Sequence, residues 1–173
     1  MSLSRIRPLD PGVEAEVEWV AQGMRATLIE VEGEAVGTAL YDLDWLRDRV
    51  RQHLDGRMAA AQVLLAEDAQ GQILGHTIVR RETHEDGEVH GLVSTTYVTP
   101  SARRQGLADA LLAAGEQWMQ SQHLPRSATW TSATNTALIR LYAKHGYAQT
   151  AQHDHVTTGT PMVRLERTLT ATF

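Results

Sequence analysis

The 173-residue chain contains no cysteine. Disulfides, thiolate metal sites and a covalent cysteine–acyl intermediate are thereby excluded. It also lacks any apolar run long enough to span a membrane. Its first ten residues, MSLSRIRPLD, are basic but have none of the apolar stretch that makes a secretory signal. These absences point to a cytoplasmic protein with no membrane partner. Positive charge is in deficit too. A net charge of -5 and a sequence pI near 5.9 argue against a nucleic-acid partner, which selects for a basic face. No Gly-Lys-Ser/Thr follows a glycine-rich loop, so a P-loop is excluded, and no multi-glycine dinucleotide fingerprint is present.

What remains is an ordinary globular composition, 42% hydrophobic and 21% charged. The length fits a single domain over residues 1–173. The charge is distributed unevenly. Glu14, Glu16, Glu18, Glu30, Glu32, Glu34, Asp42, Asp44 and Asp48 fall in the first third, whereas Arg80, Arg81, Arg103 and Arg104 lie near the middle. Solvated helix faces account for most of this. The sharper reading is an anionic ligand toward Arg103 and Arg104, with a cationic one toward the acidic third.

Periodicity supplies the element order. Residues 3–8 read as a short strand, punctuated by Asp10, Pro11 and Gly12. Val13, Val17, Val20 and Met24 recur on one helical face, and Leu43, Leu46, Val50 and Leu54 on another, with 26–39 ambiguous between them. Val63 to Ala66 and Ile73 to Val79 read as a hairpin across Asp68–Gly71, followed by a long strand from Val89 to Val98. A helix runs from Gly106 toward Leu124-Pro125, a strand from Ala128 to Ser132, and a helix from Asn135 to His145 with Gly146 as its stop. Strands at Tyr147 to Ala151 and Met162 to Leu169 close the chain. The fold class is α/β (α+β mixed), a central mixed, mostly antiparallel twisted sheet of about six to seven strands flanked by about four helices.

The segment Tyr97-Val-Thr-Pro-Ser-Ala-Arg-Arg-Gln-Gly-Leu-Ala108 joins a strand end, a basic turn and a helix start. Helix N-termini carry unpaired amides and a dipole that favours anions. With Gly106 permitting close approach and Arg103 and Arg104 adding charge, the segment suits a phosphate or pyrophosphate. An ordinary strand-to-helix turn with exposed arginines is the plain alternative.

These residues resemble a known family. Arg103-Arg-Gln-Gly106-Leu-Ala108 is similar to the Arg/Gln-x-x-Gly-x-Gly/Ala motif of the GNAT superfamily of N-acetyltransferases, and Val98-Thr-Pro100 to the Val-x-Pro before it. Downstream, Asn135-Thr-Ala137-Leu-Ile-Arg-Leu141-Tyr142-Ala-Lys-His-Gly146-Tyr147 resembles the family's Asn-x-x-Ala-x-x-Leu-Tyr-x-x-x-Gly-Phe/Tyr segment. The resemblance covers residues 60–169. It implies a GNAT-like fold and direct transfer of an acetyl group from acetyl-CoA, the co-substrate, to a primary amine, with no metal. Backbone groups of Thr96, Tyr97 and Val98 would pair with the pantetheine arm. Amides from Arg104 through Gln105, Gly106, Leu107, Ala108 and Asp109 would cradle the pyrophosphate, and Asn135 would bond the pantetheine. Tyr142 would protonate the leaving thiolate. From spacing alone Tyr142 reads as a core aromatic with its hydroxyl reaching the surface.

The chain departs from common family patterns at the base. Ser94, Thr95 and Thr96 stand where many relatives have a fourth-strand carboxylate, and Trp130 where some have a glutamate. Glu88 or His90 acting through water, or Glu67, are candidates, each also readable as a surface residue. Trp19, Tyr41, Trp45 and Trp130 suit either an acceptor pocket or the core. His153 and His155 read as exposed strand or loop without a third metal ligand. The acceptor is a small-molecule or protein amine, and a homodimer is open. An acyl-CoA-binding sensor or inactive relative, a different acyl donor, and a phosphate-ligand domain unrelated to CoA are the competing readings.

Overall fold

A computed structural model describes residues 2–57 and 59–169. The single-domain expectation also covers residues 1, 58 and 170–173, which lie outside the described residues. The elements run β1 (Arg5–Pro8), α1 (Glu14–Glu32), α2 (Glu34–Leu40), α3 (Leu43–Leu54), β2 (Ala61–Glu67), β3 (Ile73–Thr83), β4 (Val89–Val98), a 3-10 turn (Pro100–Ala102), α4 (Leu107–Ser121), β5 (Arg126–Ser132), α5 (Thr136–Lys144), β6 (Ala148–Asp154) and β7 (Pro161–Thr168). One seven-stranded sheet has the order β1-β2-β3-β4-β5-β7-β6. Every pairing is antiparallel except β4 with β5.

Each sheet face is packed by a different set of helices. Val17, Val20 and Ala21 of α1 meet Leu46 and Val50 of α3 over Val63, Leu65 and Ile78. On the other face Leu107 and Leu111 of α4 pack on Ala66, Leu74 and Val98, while Leu112, Met119 and Tyr142 pack on Val79, Val93 and Val163. The helical spacing of Val17, Val20 and Met24, and of Leu43, Leu46, Val50 and Leu54, is the spacing that fills the first of these layers.

There are five α-helices among the described residues, one more than expected. The ambiguous stretch 26–39 holds the end of α1 and all of α2, separated at Gly33, where φ is 85°. Leu28, Ile29 and Val31 alternate with glutamates, and Gly33 and Gly37 interrupt the stretch, which obscured the helical period there. The two helices lie so close that a Cβ on Gly37 would sit 2.6 Å from backbone atoms of Ile29. Only glycine allows that approach.

Candidate active site

Two irregularities open the sheet. First, β4 carries a bulge. Ile78 pairs with Thr95 but Val79 pairs with Val93, leaving Ser94 as the extra residue. Second, the parallel pairing of β4 with β5 stops at Val93–Thr129. Bulges bend and twist the strand that carries them. Beyond Val93, β4 and β5 part, and the β4 edge from Thr95 to Val98 has no partner in β5. The gap between them is the mouth of a cleft of about 850 Å³, lined by β4, the start of α4, β5, α5 and the last turns of α1. The bulged residue opens Ser94-Thr95-Thr96, a polar run whose alternation alone does not reveal the bulge.

The start of α4 forms one wall. Arg104 has φ 63° and Gly106 has φ 81°, so two residues of the turn adopt left-handed conformations. This curls the backbone so that its amides converge. The first helical hydrogen bond of α4 runs from Ala110 N to Gly106 O at 3.0 Å. The amides of Leu107, Ala108 and Asp109 therefore have no helical acceptor. No atom lies within 4 Å of the Cβ position of Gly106, which faces open space. The Asp109 carboxylate would oppose an anion, but it is matched by Lys144 Nζ at 2.7 Å and His145 Nε2 at 2.8 Å. Those two groups, Lys144 foremost, hold its pKa below the usual aspartate range.

Thr96, Tyr97, Val98, Arg103, Arg104, Gly106, Leu107, Ala108, Asp109, Asn135 and Tyr142 all line this one cleft; Gln105 does not. Asn135 caps α5, its Oδ1 accepting from Leu138 N at 3.2 Å, which leaves its amide NH2 to donate elsewhere. The Arg104 guanidinium has no partner among the described residues. Arg103 differs: its Nε donates to Val98 O at 2.9 Å and its Nη2 to Glu30 Oε1 at 2.6 Å.

Tyr142 is 2% exposed, with its ring edge-on to Tyr147 at 4.7 Å. Its hydroxyl interacts with Thr129 and Thr96. Burial, ahead of every other cause, pushes its pKa well above the ordinary tyrosine value. The phenol therefore stays protonated throughout the neutral range, the state a proton donor needs.

Glu88 is not brought to the cleft. It ion-pairs with Arg126 near the start of β4, the end remote from Val98. His90 is buried beside Glu82 at 3.0 Å, and Glu67 pairs with Arg5 and Arg7 on the β1–β2 side of the sheet. The carboxylates that do line the cleft are Glu30, Glu32 and Asp109. All three are engaged: Glu30 by Arg103, Asp109 as above, and Glu32 by the Thr160 hydroxyl at 2.9 Å. Of the four aromatic residues considered for an acceptor pocket, Trp130 lines the cleft, with His153 packed on it at 4.3 Å. Trp19 lies against His76 and Tyr97, and Tyr41 stacks on Trp45. His155 also lines the cleft; its Nδ1 accepts from Thr157 N at 3.1 Å.

The chain is 31% identical over 110 residues to the aminoglycoside N(6')-acetyltransferase type 1 of Klebsiella aerogenes, covering 61% of this chain and 72% of that protein. It is 36% identical over 105 residues to the mycothiol acetyltransferase of Arthrobacter sp. (strain FB24), covering 57% of this chain but only 32% of that protein. Among solved structures, the fold is shared with the NatC complex bound to Gag peptide and CoA, with TM-score 0.76, 18% identity, and coverage of 98% of this chain and 100% of that one. It is likewise shared with the ribosomal-protein-alanine N-acetyltransferase of Brucella melitensis, with TM-score 0.76, 19% identity, and coverage of 96% and 100%. Residues 7–147 match the model of the acetyltransferase (GNAT) family, and the chain belongs to that family.

Proposed function

We propose that the protein transfers an acetyl group from acetyl-CoA directly to a primary amine of a small molecule or protein. The observation that carries this reading is the cleft itself, which runs from the unpaired amides of α4 along the free β4 edge to the Tyr142 hydroxyl. An extended pantetheine arm has peptide-like groups that an unpaired strand edge satisfies, much as a peptide adds to a sheet. The α4 amides and Arg104 would hold the pyrophosphate. The aminoglycoside and mycothiol acetyltransferases named above, and the CoA present in the NatC structure, support the same co-substrate and an amine acceptor.

In the transfer, the neutral amine nitrogen attacks the thioester carbonyl carbon. The carbon–sulfur bond then breaks, and the thiolate takes the proton of Tyr142. The proton shed by the new amide nitrogen returns to solvent, from which Tyr142 is reprotonated. Positioning carries much of the rate, since a fixed thioester and amine gain on the order of 7 kcal/mol or more. The three cleft carboxylates are all engaged, so the amine loses its proton by desolvation or through water.

Thiol release from acetyl-CoA, measured across a panel of amines including aminoglycosides, amino sugars and peptide N-termini, tests the reading. Turnover with at least one amine supports it. Tight acetyl-CoA binding without turnover on any of them favours the acyl-CoA-binding sensor, which the lack of a free carboxylate in the cleft among the described residues would suit. A cytoplasmic location belongs to the same reading, because its co-substrate is an intracellular thioester. Among the described residues no helix is long and apolar enough to cross a membrane.

A further inference from the structure

Of the two arginines in the turn before α4, only Arg104 projects without a partner; Arg103 is held from three sides. Its Nε donates to the carbonyl of Val98, the last residue of β4, at 2.9 Å. Its Nη2 reaches Glu30 Oε1, in the last turn of α1, at 2.6 Å. Its guanidinium carbon lies 5.6 Å from the centre of the Tyr97 ring. Tyr97 in turn packs against Trp19 at 6.1 Å and His76 at 6.2 Å. His76 is fully buried, and neither of its ring nitrogens has a partner among the described residues. Gly23 of α1 makes room for it, because a Cβ there would approach Tyr97 at 2.9 Å and His76 at 3.0 Å.

This arrangement sits where β4 most needs support. Past Val93 the strand has lost β5, and its free edge is the surface that must receive an extended arm. A strand edge offers a well-defined set of bonds only if its end is held still. The guanidinium is a planar fork that satisfies a carbonyl and a carboxylate at once, which an ammonium cannot do with the same geometry.

We propose that Arg103 is a positioning residue that locks the free end of β4 against the last turn of α1, and that it does not bind the phosphates of acetyl-CoA. The proposal rests on the acetyl-CoA reading given above. It divides the two arginines by role: Arg104 faces the anion, and Arg103 shapes the edge beside which the thioester lies. It also links the donor strand to Glu30, so that the α1 side of the cleft and the β4 edge are held by one side chain.

The experiment is calorimetric titration of acetyl-CoA into the wild type and into Arg103→Lys, Arg103→Met, Glu30→Ala and Arg104→Gln, with thermal melting to confirm that each is folded. A positioning role predicts that Arg103→Lys is no better than Arg103→Met, with both weakening binding about 10-fold although lysine keeps the charge. It predicts that Glu30→Ala weakens binding in the same direction, and that the Glu30→Ala/Arg103→Met double variant is no worse than the weaker-binding single one. A phosphate-binding role predicts the opposite on both counts. Lysine then restores near wild-type affinity, and Glu30→Ala tightens binding by removing a negative charge and releasing Arg103 toward the anion; that result overturns the proposal. Glu30→Ala and Arg103→Lys keep the test decisive if Arg103→Met fails to fold. Absence of acetyl-CoA binding to the wild type would instead refute the acetyl-CoA reading itself, a distinguishable outcome.

Discussion

Removing the Tyr142 hydroxyl separates chemistry from binding and from stability. In Tyr142→Phe the ring remains, and with it the edge-on contact to Tyr147 and the packing in the α4–α5 core. The partners it leaves are not orphaned. Thr129 Oγ1 still donates to Val93 O at 2.9 Å, and Thr96 Oγ1 still pairs with Thr77 Oγ1 at 2.9 Å. The stability cost is therefore that of one hydrogen bond, about 1 kcal/mol. Catalysis should suffer far more. A positioned acid contributes roughly 10²–10⁴ in rate, and Tyr142 itself is only 2% exposed. In a thiol-release assay kcat is expected to fall about 10²-fold or more, with the acetyl-CoA Kd changed less than about 3-fold. The variant also has a signature in alkali. Burial raises the Tyr142 pKa in the folded protein, whereas the unfolded chain ionises near pH 10. The stabilising contribution is complete below about pH 10 and is lost as pH rises toward the folded value, at about 1.4 kcal/mol per pH unit. Tyr142→Phe should flatten that decline by one group; Tyr147, raised by burial as well, keeps the remainder. A variant with wild-type kcat would refute the assignment of Tyr142 as the acid.

Three further outcomes follow from other parts of the fold. Glu16 of α1 takes both Nη atoms of Arg7 at 3.0 and 2.8 Å and the Asp10 amide at 2.9 Å, tying β1 to α1. Glu16→Gln should destabilise by about 1–2 kcal/mol, because it weakens charge-assisted bonds while Arg7 keeps Glu67 as a partner at 3.0 Å, measured by urea unfolding at pH 7. Because Arg7, first among its neighbours, lowers the Glu16 pKa, this contribution is present above about pH 4.3 and fades as pH falls below it; the gap between wild type and variant should therefore close in acid. Gly37→Ala should cost on the order of 1–3 kcal/mol by forcing α2 off the Ile29 backbone, and an unchanged melting temperature would contradict that close approach.

Much of the fold was legible because its signals are local. Runs such as Val63–Ala66 and the spacing of Leu107, Leu111 and Gly115 specify period, and period specifies strand or helix. The stop at Gly146 follows from backbone chemistry readable at a single position, whereas the capping bond of Asn135 emerged only from the structure. The end of α1 was not legible, since three nearly consecutive apolar residues fit either period. The bulge at Ser94 was invisible because it depends on the register between β3 and β4, a non-local property. The same reason governs the site. The motifs located the turn before α4 and Tyr142, but sequence could not foretell that Glu30, 73 residues away, would capture Arg103. Nor could it show that Arg126 holds Glu88 at the wrong end of β4. His155 reached the cleft through a loop whose conformation rests on its own backbone bonds, including His155 N to Thr160 O at 2.8 Å.

The proposed acetyl-CoA site joins the α4 N-terminus to the free β4 edge. Calorimetric titration of acetyl-CoA into the wild type and into Gly106→Val tests it most directly. One-to-one binding to the wild type and a loss of at least about 10-fold in the variant are expected, because valine strains a backbone at φ 81° and fills the space the pyrophosphate would occupy. Equal binding by the two proteins, or no binding to the wild type at millimolar acetyl-CoA, would contradict it.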